Sequence, residues 1–166
     1  GSASVRWRLM KTWLRWMEAF PLVYFGLNPN ISQRNLRLVR ELPLERMVAD
    51  LEYLRRNHAF DHIWFCDDIF GLKPEWTRRF ADLVEAAGLD FGFTMQARVD
   101  SVLRDGVAAD LARAGLETAW IGAESGSQSI VDAMNKGVTV EQIYEATRLL
   151  QRHGVRVAFF LQFGYL

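Results

Sequence analysis

The sequence predicts an α/β fold: a partial parallel (β/α) barrel, half-barrel-like and related to the TIM barrel, with an extra amphipathic helix at its N-terminus. Three observations lead there. From Leu42 onward, short apolar runs alternate with helical patterns, the signature of βαβ units around a parallel sheet. Prolines and glycines mark the junctions: Pro43 and Pro74 are placed to start helices, and Gly88, Gly115 and Gly154 to stop them. Each apolar run ends in polar side chains, and parallel α/β folds bind ligands at the C-terminal ends of their strands.

Taken in order, Leu42-Pro43 opens a helix with an apolar stripe of Met47, Leu51 and Leu54. "HIWFCDDIF", residues 62–70, reads as a buried strand ending in Asp67 and Asp68. Pro74 starts a second helix, with Trp76, Phe80, Leu83 and Val84 as its inner face. "FGFTMQARVD", residues 91–100, is the next strand, carrying Gln96, Arg98 and Asp100 at its end. A short helix runs from Val107 to Ala114. "TAWIGAES", residues 118–125, is the third strand and opens into Glu124, Ser125, Gly126 and Ser127. Thr139 begins a helix with Gln142 at the capping-box position. "VRVAFFLQFGYL", residues 155–166, is the fourth strand, with Gln162 near its end. Connections between such strands are right-handed.

The totals bound the function classes. With 166 residues the chain can build one domain with a real core. Lysine plus arginine (20) equals aspartate plus glutamate (20), which argues against a general nucleic-acid surface. No apolar run reaches membrane-spanning length. Cys66 is the single cysteine, so one chain forms no internal disulfide and holds no cysteine metal cluster; the expected setting is cytoplasmic. His58, His62 and His153 lack metal-ligand spacing and read as structural. No metal site is expected.

Residues 1–4 read as a cloning remnant. Residues 5–41 form a unit of their own, a helix and a first strand in "PLVYFGL", and are open to being non-native. Trp7, Met10, Trp13, Leu14, Met17 and Phe20 recur at helical spacing, ringed by Arg6, Arg8, Lys11 and Arg15. That pattern fits a membrane-surface or partner-binding helix, but a helix docked on the sheet with arginine stems over its edges is the favoured reading. The remainder, residues 42–166, is the partial barrel.

"IWFCDDIF", "QARVD", "IGAESGSQSIVDAMNKGVTVEQI" and "FFLQFGYL" resemble the radical S-adenosylmethionine (SAM) superfamily, in the branch whose members often carry a cobalamin-binding domain. The resemblance implies a partial (β/α) barrel with SAM inside its C-terminal mouth. It implies a 4Fe–4S cluster that reduces the sulfonium, and a 5′-deoxyadenosyl radical that abstracts hydrogen. In such enzymes a CxxxCxxC loop after the first strand holds the cluster. If "LVYFGLNPNISQRN" is that loop, its cysteine slots fall at about Leu27, Ile31 and Arg34, none of them a thiolate ligand. The chain is therefore expected to lack the cluster and the chemistry, with cobalamin belonging only to a parent enzyme. The sequence stops in mid-strand, which leads us to expect a truncated or recombined piece of such an enzyme. The rival expectations are a non-catalytic folded module that self-associates and a cluster-free binder of SAM or a related nucleoside.

The candidate cofactor-binding residues are Asp67, Asp68, Gln96, Arg98, Glu124, Ser125, Ser127 and Gln162. Glu124 suits a ribose or a methionyl ammonium, and Arg98 suits a methionyl carboxylate as a two-pronged donor. Arg98 equally suits a salt bridge to Asp100 or Glu124. Ser127 also reads as a helix N-cap, and only the inward-pointing member of Asp67 and Asp68 can reach a ligand. Cys66 reads as a small buried core residue. The long, uncharged last strand is an edge that invites pairing, so a homodimer or higher even oligomer is expected.

Overall fold

The computed structural model describes residues 43–58, 60–67, 70–71 and 73–165. The N-terminal helix, the strand expected in "PLVYFGL", the three cysteine slots and Asp68 lie outside the described residues. The elements in chain order are α1 (Leu44–Asn57), β1 (His62–Trp64), α2 (Pro74–Ala86), β2 (Gly92–Ala97), α3 (Val99–Val102), α4 (Val107–Arg113), β3 (Leu116–Glu124), α5 (Gln128–Ala133), α6 (Val140–Arg152) and β4 (Arg156–Leu161). The strands form one four-stranded sheet in the order β1-β2-β3-β4, every pair parallel. This is the α/β architecture that the alternating pattern predicts.

Helices α1, α2, α4 and α6 pack one against the next. Phe93 and Met95 of β2 and Ala119 and Ile121 of β3 point into that layer and are fully buried. Phe80 and Leu111 meet them from α2 and α4, and Leu150 from α6. An aromatic cluster joins the first two units, with the Phe65 ring 4.6 Å from Phe70 and 5.2 Å from Phe93. The other face of the sheet carries Trp64, Thr94, Gln96, Thr118, Trp120 and Phe160. Period-two alternation separates the two sets.

Local chemistry places most boundaries. Thr139 and Gln142 make the reciprocal capping box at the start of α6. Gly115 turns the chain into β3 at φ 102°, where a Cβ would lie 2.4 Å from the Phe91 carbonyl oxygen; only glycine fits there. Four expectations shift. The buried stripe of α1 is Leu44, Val48 and Leu51, one turn earlier than the expected Met47, Leu51 and Leu54. The first strand ends at Trp64; beyond it Phe65 N–H still donates to the Thr94 carbonyl and Phe70 N–H to the Gln96 carbonyl. The second ends at Ala97, where Val99–Val102 turns helical and takes Asp100 with it. The fourth ends at Leu161, five residues short of the expected span.

The core predicts two opposite mutational outcomes. Phe80→Ala should cost about 3–5 kcal/mol by leaving a cavity in the aromatic cluster. Ser101 is 1% exposed, and its hydroxyl has no hydrogen-bond partner among the described residues. Ser101→Ala should therefore be neutral or stabilising by up to about 1 kcal/mol. Urea unfolding checks both, and a clear loss of stability in Ser101→Ala would contradict this reading of the hydroxyl.

Candidate functional site

Two clefts open at the C-terminal ends of the strands. The first, about 290 Å³, is lined by Gln96, Arg98, Asp100, Trp120, Gly122, Glu124, Asn135, Lys136 and Phe160, among others. The second, about 270 Å³, is lined by residues that include Glu124, Ser125, Gly126, Gln162, Phe163 and Tyr165. Glu124 is the polar side chain common to both.

Glu124 is held there by the backbone. The pairing of β3 with β4 is irregular between Gly122 and Glu124. Ser125 N–H donates to the Ala123 carbonyl at 2.7 Å, and Gln162 N–H donates to the Glu124 carbonyl at 2.9 Å. Glu124 itself adopts φ 59°, a left-handed conformation that costs a non-glycine residue about 1–3 kcal/mol and concentrates at functional sites. Its carboxylate, 19% exposed, accepts from Lys136 Nζ at 2.9 Å. Gly122 makes room for this pair: a Cβ there would lie 3.0 Å from Glu124 Oε1 and 3.2 Å from Lys136 Nζ.

Arg98 pairs with its neighbour. Its Nε and Nη2 donate to the two oxygens of Asp100 at 2.8 and 3.3 Å, the fork geometry of strong guanidinium–carboxylate contacts. Of the open alternatives for Arg98, the structure realises the salt bridge to Asp100. Burial pushes the Asp100 carboxyl up, but the hydrogen bond and charge of Arg98, with smaller help from its backbone and Arg104, outweigh it and hold the group below its ordinary range.

An aromatic wall continues from the first cleft. The Trp120 ring lies 5.2 Å from Phe160 and 6.3 Å from Trp64, the two tryptophan rings within 13° of parallel. At the other end of the same face, His62 Nε2 lies 2.9 Å from Thr94 Oγ1, and Arg156 donates to Glu117 and Thr118.

The expected site residues divide. Gln96, Arg98 and Glu124 meet in the first cleft, and Ser125 and Gln162 join Glu124 in the second. Asp67, in the loop after β1, lines neither, and Asp68 is outside the described residues. Ser127 occupies the N-cap position of α5 without a capping bond. Its hydroxyl meets Ser129 instead, and its N–H donates to Ser125 Oγ. Cys66 is exposed rather than a core residue, and its thiol donates to the Trp64 carbonyl at 3.6 Å. Partial burial, then the charge of Asp67, push that thiol up. No group of metal-ligating side chains exists among the described residues.

Lys136 and Asn135 were not anticipated. Their signal is the run Asn135-Lys136-Gly137, in which Asn135 takes φ 51° and Gly137 φ 69°. Asparagine and glycine are the residues that tolerate that conformation, so the run marks a tight turn with Lys136 at its centre.

The profile of the radical SAM superfamily matches residues 22–165. The chain belongs to the radical SAM superfamily. Over 112 residues it is 28% identical to PH0819 of Pyrococcus horikoshii, an uncharacterized methyltransferase; the match covers 68% of this chain and 24% of that protein. OxsB, a cobalamin-dependent S-adenosylmethionine radical enzyme solved with aqua-cobalamin, shares the fold at TM-score 0.64 and 24% identity, over 74% of this chain and 20% of OxsB. The archaeal Elp3 of Methanocaldococcus infernus shares it at TM-score 0.50 and 20% identity, over 74% of this chain and 34% of Elp3. The chain thus spans about a quarter of its curated relative. No described helix is long and apolar enough to cross a membrane.

Membership of the superfamily implies SAM and an iron–sulfur cluster. A cluster needs a set of thiolates, and one cysteine does not supply it; this donor set does not fit. The first cleft brings two carboxylates, a guanidinium, an ammonium and amide groups beside the rings of Trp120 and Phe160.

The Arg98–Asp100 pair gives a pH prediction. A lowered carboxyl pKa stabilises the fold above the ordinary carboxylate value of about 4, and that contribution is lost as pH falls through the lowered midpoint. Arg98→Ala should move the Asp100 midpoint upward, read by carboxyl-carbon NMR titration. An unchanged midpoint would show that Arg98 does not set it.

Proposed function

We propose that this chain is a radical SAM core that holds no 4Fe–4S cluster of its own, performs no radical chemistry by itself, and keeps a cleft for SAM or a related nucleoside. One observation carries the reading. The superfamily match begins at residue 22 and so spans the segment where the sequence resemblance puts the cluster loop, with Leu27, Ile31 and Arg34 in the slots. In this reading Glu124, Lys136, Arg98 and Asp100 hold the polar end of the ligand, Gln96 binds a hydroxyl or amide edge, and Trp120 and Phe160 cover its flat part. SAM, when bound, supplies an electrophilic sulfonium; these residues bind and orient it. Radical or methyl-transfer activity of the kind the relatives' names state would need groups beyond those matched here.

The test is anaerobic reconstitution with iron and sulfide. The protein should stay colourless, with iron far below the roughly four atoms per chain of such a cluster. Stoichiometric iron with a thiolate-to-iron charge-transfer band would contradict the proposal.

A second reading, self-association, is favoured by β4. It is one of the two outer strands of the described sheet, and it exposes Phe159, Phe160 and Leu161, with Phe163 just beyond at 88% exposure. Exposed apolar edges pair unless covered. Light scattering across a dilution series should show a dimer that Phe163→Lys weakens. A wild-type chain that stays monomeric at high concentration would reject this reading.

A further inference from the structure

We infer that two copies of this chain close into one eight-stranded parallel barrel, with β4 of each copy pairing parallel with β1 of its partner. The inference rests on the self-association reading above and names the edges that meet.

Each copy supplies half of such a barrel. Its four strands stand in sequence order and all run parallel, with the helix layer on one face. The open face is concave. Strands two apart stand about 9.5 Å from each other in a flat sheet, yet the rings of Trp64 on β1 and Trp120 on β3 meet over β2 at 6.3 Å. Among the described residues β1 and β4 are the outer strands, each with one row of backbone groups outside the ladder. Eight parallel strands close on themselves and leave no edge, with an interior that side chains fill. A two-fold axis along the barrel supplies the other four strands and stops the assembly at two copies.

The two ends of the sheet complement each other. Helix α1 precedes β1, packs on α2 and is the outermost helix at the β1 end of the layer. At the other end α6 packs on β3 and β4, and among the described residues no helix lies beyond β4. Phe159 shows the gap: it sits on the helix-facing side of β4, opposite buried Ile121, yet is exposed. In the closed pair the partner's α1 lies over the β4 seam and covers Phe159. Each copy thus brings four helix-then-strand units, and two copies place a helix beside every strand.

Charge and area favour the same closure. Solitary edges are commonly blunted by charged side chains. The only titratable residues on β1 and β4 are His62 and Arg156, each the first of its strand and each facing Glu117 of β3. The remaining edge surface is apolar: Trp64, Phe159, Phe160 and Phe163 are between 38% and 88% exposed. At about 150–250 Å² for a covered ring, the exposed parts of these four come to roughly 400 Å² per copy. Two copies give roughly 800 Å² from rings alone, and Leu161, the strand edges and α1 carry the total past the about 1,000 Å² of a stable interface.

Amide hydrogen exchange of the full chain across a dilution series tests this. The edge-facing amides of β1 and of β4 should both slow at least about tenfold as the chain associates, because each strand gains a ladder. Trp64→Lys, on the strand remote from β4, should raise the dimer dissociation constant at least about tenfold, and Trp64→Phe should stay near wild type. The wild-type exchange series needs no variant, so it decides even if Trp64→Lys fails to fold. Slowing of β4 alone, or a folded Trp64→Lys that dimerises like wild type, would overturn the inference and leave self-association through β4 standing. Edge-facing β1 amides that are equally slow at every concentration would show that β1 is covered within one chain, and would also overturn it. A chain that stays monomeric at the highest concentration would overturn both.

Discussion

Strand β3 is paired on both sides, and its two faces do different work. Ala119, Ile121 and Ala123 point into the helix layer, where all are buried. Thr118, Trp120, Gly122 and Glu124 occupy the opposite face, and all but Thr118 line the first cleft. A one-residue slip of β3 would exchange these sets. It would drive Trp120 and Glu124 into the helices and expose Ile121, whose burial alone contributes about 1.5–3 kcal/mol. Two irregularities pin the register, one against β2 at Phe93/Thr94 and one against β4 at Gly122/Glu124. The second also aims Glu124, so the device that fixes the sheet also builds the site.

Scaffold and site draw on different physics. The scaffold is held by its apolar core; its surface pairs, such as Arg113 with Asp82, Glu85 and Asp110 across α2 and α4, are worth little individually. The site concentrates what the scaffold avoids: a left-handed glutamate, partly shielded charges and a strand glycine under an ion pair. Such departures from local preference are expected where binding is selected over stability.

Much of this was legible in the sequence because its signals are local. Thr139 and Gln142 lie three residues apart, and the glycine stops follow helix ends directly. Gln96, Arg98 and Glu124 stand at polar strand ends and line the first cleft. The rest needed distance. Lys136 reaches back twelve residues to Glu124, and no periodicity marks such a contact. Trp64 and Trp120 come together across β2, which only the strand order reveals. The second strand ends early where Val99–Val102 turns helical, and Ser127 takes the N-cap position with its hydroxyl on Ser129 rather than on the helix backbone.

In the proposed function the ligand site is the first cleft, complete without a cluster. Amide chemical-shift mapping of the iron-free protein with SAM tests it most directly. Saturable shifts should be confined to residues 96–100, 120–125 and 135–138. Shifts centred on the helix layer, or none at saturating ligand, would contradict it.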